Sequence, residues 1–502
     1  MILRPRYPTI YEINAWVWLA DLRARYAGFI DLGSVPAAEW DAIAACGIAA
    51  VWLMGVWERS PAGIAIANQN EGLRADFQRA LPDFRPADNV GSPYCVRRYV
   101  VDSQLGGPQG LAHARRELAQ RGLRLILDFV PNHLAPDHPW VTAHPEYFIR
   151  GSAADLAREP AAFSRVQGRV FACGKDPFSP AWSDVLQLNV FAPGLRGAAI
   201  ETVTRIADQC DGVRCDMAML LLNAVFERTW GGRAGPPPAT EFWDDLITAV
   251  AGAQPDFLFI AETYWDLEWA LQQRGFDFCY DKRLYDRLVH GPAADVRLHL
   301  GAALDYQSQL LRFTENHDEP RAAAVFSPAQ GRVVAVTIAT LPGARLFHEG
   351  QFEGRAVKLP VFLGRRPAEA ACPALQAFYA QLLQACARPL FQEGLWRLSA
   401  CTGWPDNRSG EHLLAWTWTL GEERCLVVVN LSDAAAQAWV EVPWDEVGAQ
   451  RWRLVDALSG AMYDREGAEL RQTGLYVDLA AWGCHVLRFQ PLLADCEELK
   501  NS

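Results

Sequence analysis

Asp211-Gly212-Val213-Arg214-Cys215-Asp216 decides how the chain is read. It has the grammar of a buried strand that ends in charge. Side chains alternate across a strand, so Arg214 and Asp216 share one face and Cys215 turns to the other, into core. A guanidinium two residues from a carboxylate favours the ionised form and is expected to lower the Asp216 pKa. A carboxylate held ionised in a cleft can act as a nucleophile. Taken alone, the pair reads first as a structural ion pair. Its company changes that reading.

Working outward, three further segments end an apolar run in charge or histidine. They are Leu125-Ile126-Leu127-Asp128-Phe129-Val130-Pro131-Asn132-His133, Phe257-Leu258-Phe259-Ile260-Ala261-Glu262 and Phe313-Thr314-Glu315-Asn316-His317-Asp318-Glu319-Pro320-Arg321. Runs of this length suit strands buried on both faces of a parallel sheet. Polar groups at the C-terminal ends of such strands are where barrel enzymes keep their active sites. Further strands are expected at Thr9 to Asn14, Ile48 to Met54, Phe276 to Tyr280, Leu311 to Thr314 and Ala344 to His348. Helical periodicity runs from Ala37 to Cys46, from Leu111 to Arg121 with Gly122 as its stop, from Gly197 to Cys210 and from Ala218 to Arg228. Gly231 to Pro238 reads as a loop, and 55–100 as a long connection with little periodicity. Beyond Pro389, short β-rich runs such as Leu413 to Trp418 and Leu426 to Asn430, spaced by turns, predict an antiparallel sandwich.

In order and spacing, the four segments resemble the four main motifs of the α-amylase clan, glycoside hydrolase family 13. The resemblance covers most of the chain, from about residue 8 to about residue 490. It implies an α/β fold: a (β/α)8 TIM barrel with a small domain inserted after strand three and a C-terminal antiparallel β-sandwich. The expected divisions are 1–133 and 183–388 for the barrel, 134–182 for the insert and 389–502 for the sandwich. The resemblance also implies roles. Asp216 matches the nucleophile, Glu262 the acid/base and Asp318 a third carboxylate that grips ring hydroxyls. Arg214, His133 and His317 match substrate-binding positions. Asp128 matches the buried aspartate that supports the site arginine, and Tyr94 a tyrosine that stacks on the cleaved sugar. Asn132 matches a residue that in some members helps hold calcium. No clear set of further oxygen ligands accompanies it, so no cofactor is expected, with calcium left as an option. Gln187-Leu188-Asn189 stands where many relatives have Asp-Leu-Asn.

Breaking a glycosidic bond with retention needs one ionised carboxylate to attack and one protonated carboxyl to donate to the leaving oxygen. Asp216 beside Arg214 suits the first task. Glu262 has no basic neighbour in sequence and follows an apolar strand, so burial and nearby carboxylates are expected to raise its pKa for the second. The leading expectation is a retaining α-glycosidase of α-glucans, maltooligosaccharides or small α-glucosides. A transglycosylase using the same site is the alternative, and a non-catalytic binding module the remote one.

The bulk numbers agree with a sugar partner. A net charge of −12 over 502 residues, with no long basic run, argues against nucleic acid or an anionic membrane as partner. An oligosaccharide or polysaccharide needs no charge steering. Most of the 19 Trp and 13 Tyr are core by default, and some suit sugar platforms. No stretch has the roughly 18 apolar residues of a spanning helix. The twelve scattered cysteines, without CxxC or metal spacing, and the lack of an apolar leader at Met1 to Pro8 predict a cytoplasmic protein. Nothing in the sequence fixes an oligomeric state.

Overall fold

The computed structural model describes residues 5–492. Eight parallel strands close into a barrel: β1 (Thr9–Asn14), β2 (Ala50–Met54), β3 (Arg124–Phe129), β4 (Gly212–Cys215), β5 (Leu258–Ala261), β6 (Phe278–Tyr280), β7 (Leu310–Arg312) and β8 (Ala344–His348). Each pairs with its neighbours in sequence, and β8 closes on β1. Every residue of β2 and β3 is buried, as the unbroken apolar runs require. One set of alternate side chains, among them Ile10, Trp52, Ile126, Ile260, Leu311 and Leu346, fills the barrel interior. The other set, including Val51, Leu53, Leu125, Leu127 and Val213, packs outward with Leu111, Ala114 and Leu118 of the helix Gly107–Gln120. The β3–β4 register sets Asp128 directly opposite Arg214.

Three expectations need correction. The connection 55–100 is not structureless. It holds the short antiparallel pair Trp57–Arg59 with Val96–Val101 and the helices Pro61–Gln69 and Glu71–Ala80. Ser60 and Asn70 cap those helices with their side-chain oxygens. Gly231 and Gly232 belong to the helix Asn223–Ala234, which follows a 3-10 turn at Ala218–Leu221. Burial of Phe226, Trp230 and Ala234 carries that helix past its glycines. The helix expected from Gly197 begins at Pro193 instead, because proline is well suited to the first helical turn. After β3 the chain leaves the barrel and forms a four-stranded antiparallel sheet from His133–Leu134, Phe163–Val166, Arg169–Gly174 and Trp182–Gln187. That segment is therefore more regular than its mixed composition suggests.

The C-terminal part is two antiparallel sheets. One has six strands in the order Leu395–Ser399, Leu413–Leu420, Glu423–Asn430, Cys484–Leu492, Arg451–Asp456 and Met462–Glu466. The other has three, Cys401–Thr402, Ala436–Val440 and Leu475–Leu479. Leu426, Val428, Ala438, Val440 and Val477 share the core between them, which fits a sandwich. Trp418 fastens the first sheet to the barrel: its Nε1 donates to the Thr340 carbonyl at 2.7 Å, and its ring meets Tyr7 edge-on. Among the described residues, no helix is long and apolar enough to cross a membrane.

Candidate active site

The C-terminal ends of β3, β4, β5 and β7 converge on Arg214. Its side chain is 1% exposed and is boxed by the rings of Trp52, Tyr94 and Tyr280. A buried guanidinium needs paired oxygens, and three carboxylates surround it. Nη1 donates to Asp216 Oδ1 at 2.8 Å. Nη2 lies 2.9 Å from Glu262 Oε2, and Asp128 Oδ1 is 3.8 Å from Nη1. Asp128 is fixed from behind, its Oδ2 accepting the Gly55 N–H at 3.1 Å. Gly55 has φ +78, and a Cβ there would meet the Arg59 guanidinium at 2.6 Å, so glycine is required at this turn.

Asp216 leaves one oxygen unused. Its Oδ2 is buried and has no hydrogen-bond partner, while Oδ1 is held by Arg214. Glu262 accepts the Met217 N–H at Oε2, 2.6 Å away, and the Tyr264 hydroxyl at Oε1, 2.9 Å away. Met217 sits at φ +45, a left-handed conformation unusual for a branchless apolar residue. That kink directly after Asp216 is what turns its N–H toward Glu262, a local strain of the kind found at functional sites.

Burial sets the protonation states. It raises the Glu262 pKa to about 7, with Asp216 and Asp318 adding to the rise and Arg214 opposing it. The expectation for Asp216 is overturned. Arg214 does pull it down, but burial outweighs the guanidinium, and the pKa is raised to about 6. The second carboxylate on the same guanidinium was invisible in the sequence, because Glu262 has no basic neighbour along the chain. Burial likewise lifts Asp128 to about 6.

His317 is the second hub. Its Nδ1 meets Glu12 Oε1 at 2.5 Å, and its Nε2 faces the Tyr94 hydroxyl at 2.6 Å and Asp318 Oδ2 at 2.9 Å. Burial disfavours its charge, but Asp318 and Glu12 outweigh burial and push the pKa up to about 10. Desolvation works against the Asp318 charge too, yet the His317 imidazolium holds that carboxyl below the usual range. Burial makes His133 the opposite case, lowering its pKa to about 4, so its ring is neutral. It meets the Trp182 ring edge-on at 5.2 Å.

Tyr94, His133, Trp182, Asp216, Glu262 and Asp318 line one open cleft of about 520 Å³. The structure thus gathers the residues singled out in sequence around a single concavity, with Arg214 and Asp128 beneath it. Asn132 is set apart. Both its carbonyl and its Oδ1 face the Gln187 Nε2, at 2.9 and 3.0 Å, and Gln187 also reaches the Leu188 carbonyl at 3.1 Å. An amide N–H group occupies the place where a cation would need acceptor oxygens. Among the described residues, no group of three or more His, Cys, Asp or Glu is arranged to hold a metal ion. With the Gln187 amide donating to them, the Asn132 oxygens do not fit a calcium ion. Glu315 and Arg321 form a buried ion pair at 2.6 Å rather than part of the cleft floor.

Three features escaped the sequence reading. Glu12 was legible only as a lone acid inside the apolar strand β1. Trp52 and Tyr280 read as core until their rings were seen against Arg214. Trp265, at φ +64 and followed by Asp266 at φ +61, holds two consecutive left-handed residues just beyond Glu262. Arg283 forks onto Asp266 and fixes the turn. Trp265 is 37% exposed and meets the ring of Phe178, 60% exposed, at 4.8 Å.

No family model matches the chain. The curated α-amylase MalA of Haloarcula japonica is 25% identical over 243 residues, covering 47% of this chain and 32% of that protein. The α-1,4-glucan:maltose-1-phosphate maltosyltransferase 2 of Streptomyces coelicolor is 27% identical over 186 residues, 35% of this chain and 23% of that protein. A maltogenic α-amylase, AmyB of Thermotoga neapolitana, superposes with a TM-score of 0.68 over 98% of this chain and 100% of its own, at 18% identity. These similarities support an assignment to the α-amylase family, with the subfamily open. The likeness to AmyB shows the fold the family shares. The chain spans about half or less of the length of the curated relatives it matches.

Proposed function

We propose that the protein is a retaining α-glycosidase acting on α-glucans, maltooligosaccharides or small α-glucosides. The observation that carries this reading is the pair of carboxyls on one guanidinium, Asp216 with a free Oδ2 and Glu262 with a pKa raised by burial. In the first step Asp216 Oδ2 attacks the anomeric carbon. The bond to the leaving oxygen breaks as Glu262 gives that oxygen its proton, leaving a glycosyl ester on Asp216 and an ionised Glu262. In the second step Glu262 takes a proton from water, the water oxygen attacks the same carbon, and Asp216 is released. Arg214 keeps Asp216 ionised enough to attack and oriented through Oδ1. Asp318 and the charged His317 suit the hydroxyls of the same ring, where bonds that tighten in the transition state lower the barrier.

A second reading has its own support. The exposed Phe178–Trp265 pair brings an aromatic face from the loop that follows Glu262, and one relative is a maltosyltransferase. A sugar stacked there would deliver its hydroxyl in place of water, making the enzyme a transglycosylase. Incubation with maltotriose separates the two. Glucose and maltose alone mean hydrolysis, whereas longer oligosaccharides mean transfer. No turnover of maltooligosaccharides, isomaltose, sucrose or trehalose would overturn both.

A further inference from the structure

The three-stranded sheet of the C-terminal part has an unusual outer face. Along Ala436–Val440 and Leu475–Leu479 every second side chain is buried against the six-stranded sheet. The alternate residues point outward, where polar groups are the rule for a solvated sheet face. Here two of them are Trp439 and Tyr476, directly opposite in register, with ring centroids 5.4 Å apart. A third ring, Trp404 from the turn before Asn407, lies 6.1 Å from Tyr476. Tyr476 remains 42% exposed. The three rings floor an open groove of about 590 Å³ rimmed by Asp464, Arg465, Glu466 and Glu469.

We propose that this groove is a second carbohydrate site that holds a neutral α-glucan segment apart from the catalytic cleft. Three half-exposed rings offer flat apolar faces that suit the C–H face of a pyranose. The rim offers both carboxylate acceptors and the Arg465 donors, which suits sugar hydroxyls that donate and accept. With Asp464 paired to Arg453, Glu466 to Arg451 and Arg465 beside them, the rim is mixed in charge, and the net charge of −12 disfavours a nucleic acid or an anionic lipid surface. Choosing an α-glucan rather than another neutral polysaccharide rests on the function proposed above. Holding the polymer away from the cleft would raise its effective concentration at the cleft by tethering.

Native gel electrophoresis through glycogen or soluble amylose, with dextran as the control, tests the proposal. Wild type and Asp216→Asn should both be retarded by the α-1,4-glucans. Trp439→Ala/Tyr476→Ala should weaken retardation by about tenfold or more, as expected for losing stacked aromatic anchors. Turnover of maltotriose, which cannot span two sites, should be unchanged in that variant. Trp404→Ala, in a surface turn outside both strands, should weaken retardation while keeping the unfolding midpoint, which covers the case where the double variant misfolds. Equal retardation of wild type and folded variants, or no retardation of wild type, would overturn the proposal. So would a dimer of wild type that these substitutions convert to monomer, since the groove would then be an interface between copies. Retardation reports binding alone, so an inactive but retarded wild type would count against the proposed function and not against this site.

Discussion

Replacing Glu262 with Gln should remove the alkaline limb of the pH profile together with most of the activity. Burial raises this carboxyl to about 7 and Asp216 to about 6. The working enzyme needs Glu262 protonated and Asp216 ionised, so kcat/KM should be bell-shaped with its maximum between these values. Activity falls on the acid side as Asp216 gains its proton and on the alkaline side as Glu262 loses its own. At pH 9 only about one per cent of Glu262 keeps the proton, and the rate should drop about a hundredfold from its maximum. Gln cannot donate, so with maltotriose the loss should be about 10²–10⁴-fold. With an aryl α-maltoside whose leaving group needs no proton, glycosylation should be largely spared and its rate flat above pH 7. Stability gives an independent reading. A carboxyl whose folded pKa lies above its unfolded value costs stability as pH rises from 4.5 through about 7. At about 1.4 kcal/mol per pH unit, that rise corresponds to about 3 kcal/mol, which the Gln variant escapes. The variant should therefore gain on wild type in unfolding midpoint between pH 4.5 and 8. An alkaline limb that persists in the variant, or a midpoint gap that does not widen with pH, would refute the assignment.

Other perturbations read other parts of the account. Trp265→Ala should lower the ratio of transfer to hydrolysis with maltotriose at high substrate, while kcat/KM for hydrolysis changes less than threefold; an unchanged product ratio would remove Trp265 from the acceptor side. Glu12→Gln takes away one of the two carboxylates that keep His317 charged, so the His317 pKa, read by ring NMR shifts, should fall from about 10. Gln187→Ala leaves the Asn132 and Leu188 oxygens without their donor and should cost about 1–3 kcal/mol in denaturant unfolding. A chelator should leave the wild-type unfolding midpoint unchanged, and a fall would mean a cation held outside the Asn132–Gln187 pair.

The barrel was legible because its strands are buried on both faces and read as unbroken apolar runs ending in charge. Seven of the eight ended within two residues of the expected position, in several because a polar or charged residue marks the strand end. The 55–100 connection was not legible, because its two helices are short and rely on the caps Ser60 and Asn70. The helix through Gly231 and Gly232 was hidden by its own breakers, overridden by burial of Trp230. In the cleft, identity was legible and electrostatics was not. Arg214 was visible beside Asp216, but only the β3–β5 alignment brings Asp128 and Glu262 to the same guanidinium and lets burial dominate. Glu12 and the Phe178–Trp265 pair depend on contacts across more than 80 residues, which no local pattern records.

The most direct test is the anomeric form of the first product. Wild type acting on maltotriose or an aryl α-maltoside should release the α-anomer before mutarotation, seen by proton NMR in the first minutes, and Asp216→Asn should lose at least about a thousandfold in rate. The β-anomer as first product, or a variant as active as wild type, would contradict a double displacement through Asp216.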